Sequence, residues 1–323
     1  MFQWQSCPSV TVNRVWVRVG LVMLFLCCAG LVEAHTYTLS SAQADVVGEV
    51  NIVKSRDSDT LMDIAREHSM GYREMRLANP DTDIWLPGED NPIVIPSQFI
   101  LPDAPRDGIV LNRSEKRLYY FHSDPSTGEP LVTTYPMGIG REDRQTPTGR
   151  SRIVMKMQNP AWYPTANIRA DFASRGVDLP LKVPPGPDNP LGEYAIMLDI
   201  PGYLIHGTNR PDGIGMRVSQ GCIRLYPEHI EALVKKAPLQ TPVTIIDQPY
   251  KVGILDGELM VEVHPVVYPD GETNTDQEQR LVRRIIKLLD ARGDELKGGI
   301  DWNRVTEVFR RADGIPAVVS YLD

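Results

Sequence analysis

Twenty-seven prolines run through this 323-residue chain, many of them in Pro-Gly or Asn-Pro settings. Each proline removes a backbone donor and fixes φ, so regular elements must fit between them. The fold this allows is loop-rich and mainly β.

The N-terminus points to export. Arg14 and Arg18 precede a fourteen-residue uncharged run, Val19–Val32, and Val32-Glu33-Ala34 offers the small residues of a cleavage site. Residues 1–34 therefore read as a signal peptide cut after Ala34. The run is short for a membrane span of ~20 residues, so no stable span is expected, a retained anchor being the alternative. A lipoprotein anchor is disfavoured by Leu26 before Cys27. Cys7, Cys27 and Cys28 leave with this segment, and Cys222 remains as a single thiol. An unpaired thiol in an oxidising compartment is exposed to chemistry and needs a reason to persist. The bland reason is a buried, inert cysteine. A formal charge of −8 with no basic run argues against nucleic acid or anionic lipid as partners.

Residues 35–49 read as a spacer. From 50 to 97 the pattern is strand, helix, helix, strand. Asp59 or Thr60 caps a helix with Leu61, Ile64 and Ala65 on one face; Gly71 separates it from a second helix, Tyr72 to Ala78. This segment resembles a LysM domain in Ser58-Asp59-Thr60-Leu61, Ile64-Ala65-Arg66, Ala78-Asn79-Pro80, Trp85-Leu86-Pro87-Gly88 and Val94-Ile95-Pro96. The resemblance implies binding of N-acetylglucosamine-containing glycan, weakly, since few exposed aromatics are expected. A folded spacer without sugar affinity is the alternative.

Residues 98–106 read as a stiff linker. Gly108–Asn112 and Arg117–Phe121 then form a hairpin. Strands follow at 131–135, 152–157, 194–198 and 202–205, a helix begins at Pro227, and 243–246 is a last strand. The stretch from Asn159 to Gly192 lacks periodicity and reads as an active-site loop region. After Tyr250 comes an appendage, residues 249–323. It holds a strand at 258–263, a helix opened by a capping box at Thr275–Glu278, and a second helix capped by Asp301 with Trp302, Val305 and Phe309 inward. The neighbouring domain is the simplest surface for both helices.

The chemistry concentrates in Ile205-His206-Gly207-Thr208-Asn209 and Val218-Ser219-Gln220-Gly221-Cys222-Ile223-Arg224-Leu225, where the histidine and the cysteine stand sixteen residues apart. A turn at Gly221 would lift the thiol to the sheet end and leave the Gly221 and Cys222 amides unpaired, as an oxyanion hole requires. A histidine within reach can take the thiol proton and later protonate a departing amine. The histidines show no metal-ligand spacing, and no metal or cofactor is called for. Ser219 lacks the glycine pattern of a nucleophile elbow.

Residues 107–248 resemble an L,D-transpeptidase catalytic domain of the YkuD type, a β-sandwich. The match runs through Tyr135-Pro136-Met137-Gly138-Ile139-Gly140, Thr146-Pro147-Thr148-Gly149, Asn159-Pro160-Ala161-Trp162, Pro187–Gly192 and the two motifs above. The resemblance implies a peptidoglycan tetrapeptide stem as acyl donor, cleaved before its terminal D-alanine. Cys222 would be the nucleophile, His206 the base and acid, and the Gly207 carbonyl the group that orients the imidazole. Asn209, Ser219, Gly221 and Arg224 would bind substrate. The acyl acceptor would be an amine, from another stem or from a lysine of an outer-membrane lipoprotein, in the periplasm. Gln220 departs from the pattern, in which histidine often precedes the Gly-Cys pair. A hydrolase on the same scaffold and an inert peptidoglycan-binding protein stay open.

Overall fold

The computed structural model describes residues 34–41, 43–266 and 273–322; the signal-peptide reading lies outside them, save Ala34. Along the chain come β1 (Thr36–Thr38), β2 (Val46–Gly48), β3 (Asn51–Lys54), α1 (Leu61–Glu67), α2 (Tyr72–Ala78), β4 (Pro92–Ile95) and β5 (Gln98–Ile100). Next are β6 (Gly108–Asn112), β7 (Arg117–Ser123), β8 (Pro130–Pro136), β9 (Ile139–Gly140), β10 (Gly149–Gln158) and α3 (Ala166–Ala173). They are followed by β11 (Tyr194–Leu198), β12 (Leu204–His206), β13 (Arg217–Ser219), β14 (Ile223–Arg224), α4 (Pro227–Lys236) and β15 (Pro242–Ile246). The C-terminal part holds β16 (Tyr250–Leu255), β17 (Glu258–Val263), α5 (Asn274–Arg292), β18 (Gly298–Ile300), α6 (Trp302–Arg311), β19 (Ala317–Val318) and β20 (Ser320–Leu322).

The fold is mainly β, built on a curled nine-stranded sheet ordered β1-β8-β7-β6-β15-β10-β11-β12-β14. Its central strands are apolar on both faces, and the alternation assigns each face a core. Ile109, Leu111, Leu118 and Tyr120 point into the core that the sheet closes on itself, with Ile205, Ile223 and the α4 residues Ile230 and Leu233. Val110, Tyr119 and Phe121 point the other way, where Leu61, Ile64, Met70, Met75, Ile93 and Ile95 of the β3-α1-α2-β4 unit cover them.

That second core changes the domain picture. The βααβ unit forms as its punctuation indicates: β3 pairs antiparallel with β4, and Thr60 caps α1 in a reciprocal box with Asp63. It is no bead on a string, because its buried helix face lies on the catalytic sheet. Arg117, fully buried on that face, donates from Nε and Nη2 to Glu74 at 2.8 and 2.9 Å. The supposed spacer carries two strands: β1 pairs with β8 in the main sheet and β2 with β5. The supposed linker begins with β5 itself, whose Ile100 amide donates to Glu262 at 2.7 Å. Three-residue strands carry too little periodicity to be read locally, and their pairing partners supply the order.

Two further expectations change. The loop region from 159 to 192 contains α3, opened by Thr165, whose hydroxyl accepts from the Ile168 amide at 3.3 Å. No α3 side chain is buried, which is why no apolar stripe marked it. In the C-terminal part the cap of α5 is Thr273, boxed with Asp276, two residues ahead of Thr275. Helices α5 and α6 lie on their own β16–β17 hairpin around Leu259, Val261, Leu281, Ile285, Val305 and Val308; Trp302 is half exposed. Amphipathicity shows that a helix buries a face, without naming the surface that receives it.

Between that hairpin and the main sheet, Glu115, Glu262 and His264 converge. The ammonium of buried Lys251, at 2.6 and 2.7 Å from the two carboxylates, supplies the cation there. Among the described residues no helix is long and apolar enough to cross a membrane.

Candidate active site

His206 ends β12 and Cys222 directly precedes β14. The two strands pair in parallel, with Ile205 opposite Ile223 and His206 opposite Arg224. Opposed residues share a face, as do residues two apart on a strand. Register therefore places the His206 and Arg224 side chains on one side of the sheet end, with Cys222 in the turn directly before β14. Electrostatics agree, since the Arg224 charge acts on both His206 and Cys222.

His206 is buried, and its Nδ1 donates to the Gly207 carbonyl at 2.7 Å. A carbonyl can only accept, so this bond assigns the ring proton to Nδ1 and leaves Nε2 as the basic nitrogen. A side chain at Gly207 would be tight: a Cβ there would lie 3.2 Å from Ile230 and 3.3 Å from the Leu191 carbonyl. Burial, helped by the Arg224 charge, lowers the His206 pKa to about 3. The half-buried Cys222 thiol is pushed above its ordinary value by burial, against the Leu204 amide and the Arg224 charge, which pull it down. Its S–H points to the Gly202 carbonyl at 3.7 Å. At neutral pH the resting pair is a neutral thiol and a neutral imidazole, with no ion pair.

The turn that carries Cys222 is held from several sides. Ser219 is buried; its hydroxyl donates to the Cys222 carbonyl at 2.5 Å and accepts from the Gly221 amide at 3.2 Å. That engagement corrects two expectations. Ser219 faces inward and pins the turn, with no surface for a substrate, and the Gly221 amide is already used. Gly221 adopts φ +110°, open to glycine, and its carbonyl accepts from Thr146 Oγ1 at 2.7 Å. Gly140 lets the turn approach, since a Cβ there would sit 2.9 Å from Gly221 Cα. Thr146 and Gly140 stood in motifs that the sequence singled out, without a role.

Arg224 and the exposed Asn209 line a cleft of about 880 Å³ whose wall holds neither His206 nor Cys222. Gln220, two residues before Cys222, is also in its wall, as are Trp162 and Phe172, and Met62, Ile84 and Trp85 of the βααβ unit. Trp85 is 66% exposed, an aromatic that the unit presents at this cleft. Gln220 donates to Asp171 on α3 at 2.9 Å. Asp171 also receives Arg175 at 2.6 Å and Arg141 at 3.4 Å, tying α3 to the nucleophile loop. Nothing local marked Asp171, which stands 49 positions from Gln220.

The neutral imidazole has a measurable consequence. A base of ordinary pKa near 6.5 would lose about 25-fold in its neutral fraction between pH 7 and pH 5. His206, at about 3, stays neutral over that interval, so enzyme acylation should be flat within about twofold from pH 5 to 8. Single-turnover acylation rates across that range check it; an inflection near 6.5 would mean that the working imidazole is not the buried neutral one.

A family model for the YkuD L,D-transpeptidase catalytic domain matches residues 106–245. The chain is 40% identical over 292 residues to "Probable L,D-transpeptidase ErfK/SrfK" of Salmonella typhimurium, covering 89% of this chain and 92% of that relative. It is 39% identical to the protein of the same name in Escherichia coli, over 95% of this chain and 97% of the other. "Probable L,D-transpeptidase YcfS" of Escherichia coli matches at 44% over 72% of this chain and 73% of its own length. With a family model matched over residues 106–245 and this similarity over nearly its full length, the chain belongs to the YkuD family of L,D-transpeptidases.

Proposed function

We propose that the protein is a cysteine acyltransferase of the periplasm, acting on peptidoglycan stem peptides. The observation that carries this reading is the His206 ring. Its Nδ1 donates to the Gly207 carbonyl at 2.7 Å, which makes Nε2 the basic nitrogen, at the sheet end where Cys222 precedes β14.

Nε2 of His206 takes the Cys222 proton as sulfur attacks the carbonyl carbon between the diamino acid and the terminal D-alanine. When the C–N bond breaks, the imidazolium returns that proton to the departing amine, and a thioester remains on Cys222. An acceptor amine then attacks the thioester, loses its proton to His206, and forms the new amide as the thiol is restored. The energy of the broken amide is kept in the thioester, so the cycle balances without a cofactor. Arg224 and Asn209, in the cleft wall, are placed to bind polar groups of the donor. The βααβ unit, LysM-like in sequence, turns Trp85 toward the same cleft, which suits a glycan-linked donor.

The acceptor is an amine of another stem or a lysine of an outer-membrane lipoprotein. A positioned amine attacks a thioester faster than unassisted water, and alignment adds the advantage of an intramolecular reaction. Purified protein incubated with tetrapeptide muropeptides, with and without a lysine-ended lipoprotein peptide, should yield dimers or peptide adducts by mass. Tripeptide alone in both mixtures would make it a hydrolase instead.

A further inference from the structure

The βααβ unit grips the polypeptide on both sides of the nucleophile. Upstream, the Tyr72 amide at the start of α2 donates to the Ile214 carbonyl at 2.9 Å, in the loop joining His206 to Cys222. Downstream, Met70 accepts from the Tyr226 hydroxyl at 3.1 Å, Ser69 meets His229 at 3.1 Å, and Arg66 makes two 2.8 Å bonds to Glu228. From Ile214 the chain runs through β13, which pairs with β9, into the Ser219–Cys222 turn. It continues through β14 to Tyr226 and α4. The nucleophile segment is thus strung between two attachments to one unit.

The upstream attachment is a close crossing of two backbones. A Cβ on Gly71 would lie 2.9 Å from Gly215 Cα, and one on Gly215 would lie 2.5 Å from the Tyr72 nitrogen. Gly215, at φ +87°, needs glycine for its conformation as well. Gly71 does not: at φ −92° and ψ 155° it is ordinary extended backbone. Its glycine serves the approach to Gly215.

We infer that Gly71 and Tyr72 are positioning residues for catalysis, holding the loop from His206 to Cys222 so that the thiol meets its base. The unit is then part of the catalytic apparatus toward soluble donors too. The inference rests on the proposed His206–Cys222 pair.

Full-chain variants test it. Gly71→Ala forces the crossing apart without backbone strain. Tyr72→Pro deletes the donated N–H and puts the ring Cδ where the Ile214 carbonyl now accepts at 2.9 Å, so this contact must open; proline is tolerated at a first helical position and Gly71 is already extended, and comparison with Tyr72→Ala removes the side chain's share. The readouts are kcat and KM for D-alanine release from a soluble tetrapeptide, the pH profile of Cys222 alkylation by iodoacetamide, and the thermal melt. We expect Gly71→Ala to lose at least tenfold in kcat with KM within twofold and a displaced alkylation profile. Tyr72→Pro should fall at least fivefold below Tyr72→Ala. Variants that keep kcat and the alkylation profile, whether or not they melt earlier, would reduce the unit to a passive cover and overturn the inference. If the unmodified protein alkylates at Cys222 yet releases no D-alanine, the proposed reaction fails instead. The alkylation profiles of the variants still decide the positioning role.

Discussion

Cys222→Ser should lose at least about 1,000-fold in D-alanine release while its melting temperature stays within a degree or two. Three decades of rate correspond to about 4 kcal/mol of barrier. The hydroxyl is a far weaker nucleophile at neutral pH, yet it fits the space of a half-buried thiol. Because the resting pair is uncharged, the substitution removes no ion pair and should not disturb the fold. His206→Ala should cost a similar factor, and the double variant with Cys222→Ala should be scarcely worse than either single one, since groups acting as one unit do not add. Losses that multiply, or a serine variant that turns over normally, would end the thioester mechanism.

Glu74→Ala should bring the largest loss of stability. Arg117 is fully buried, with its guanidinium 4.1 Å from the Phe99 ring centroid and further, uncharged partners in Thr134 at 3.0 Å, the Ser69 carbonyl at 3.3 Å and the Met70 sulfur at 3.4 Å. Without Glu74 its charge is left unpaired away from water, which costs about 3–5 kcal/mol. For a domain of this size that lowers the melting temperature by about 10 °C. Replacing both partners by apolar residues of similar volume, Arg117→Met with Glu74→Leu, should recover most of the loss. Thermal melts of the single and double variants decide it. A single variant that melts normally would mean that the βααβ unit is not locked to the sheet. The same burial argues that a chain lacking residues 35–97 would expose Val110, Tyr119 and Phe121 and aggregate, so truncation is a poor test of the unit's role.

Much of this molecule is readable locally. Thr60 with Asp63 marks a helix start whatever lies around it. The run from Arg117 to Phe121 is a strand buried on both faces. The βααβ unit and the β6–β7 hairpin are contiguous in sequence, so their signals are complete within a short window. The His206 and Cys222 motifs are likewise local, and the glycine beside each of these residues marks where backbone comes close.

The remainder depends on residues far apart. β1 meets β8 with Thr36 opposite Thr133, and three residues of edge strand carry no period. Asp171 holds Gln220 from a helix with no buried side chain. Ser219 looked like a pocket residue because it sits in the motif, but its hydroxyl is spent within its own turn.

By itself the sequence determined most of the longer secondary elements, the family and the His206 and Cys222 motifs, because helix caps, apolar periodicity and such motifs are short-range patterns. Tertiary structure alone decided that the His206 imidazole is neutral at rest, that Ser219 faces inward, and that the βααβ unit locks onto the sheet around the nucleophile. Burial, desolvation and charge pairing belong to the surroundings a side chain acquires on folding, and no residue carries them in its own identity.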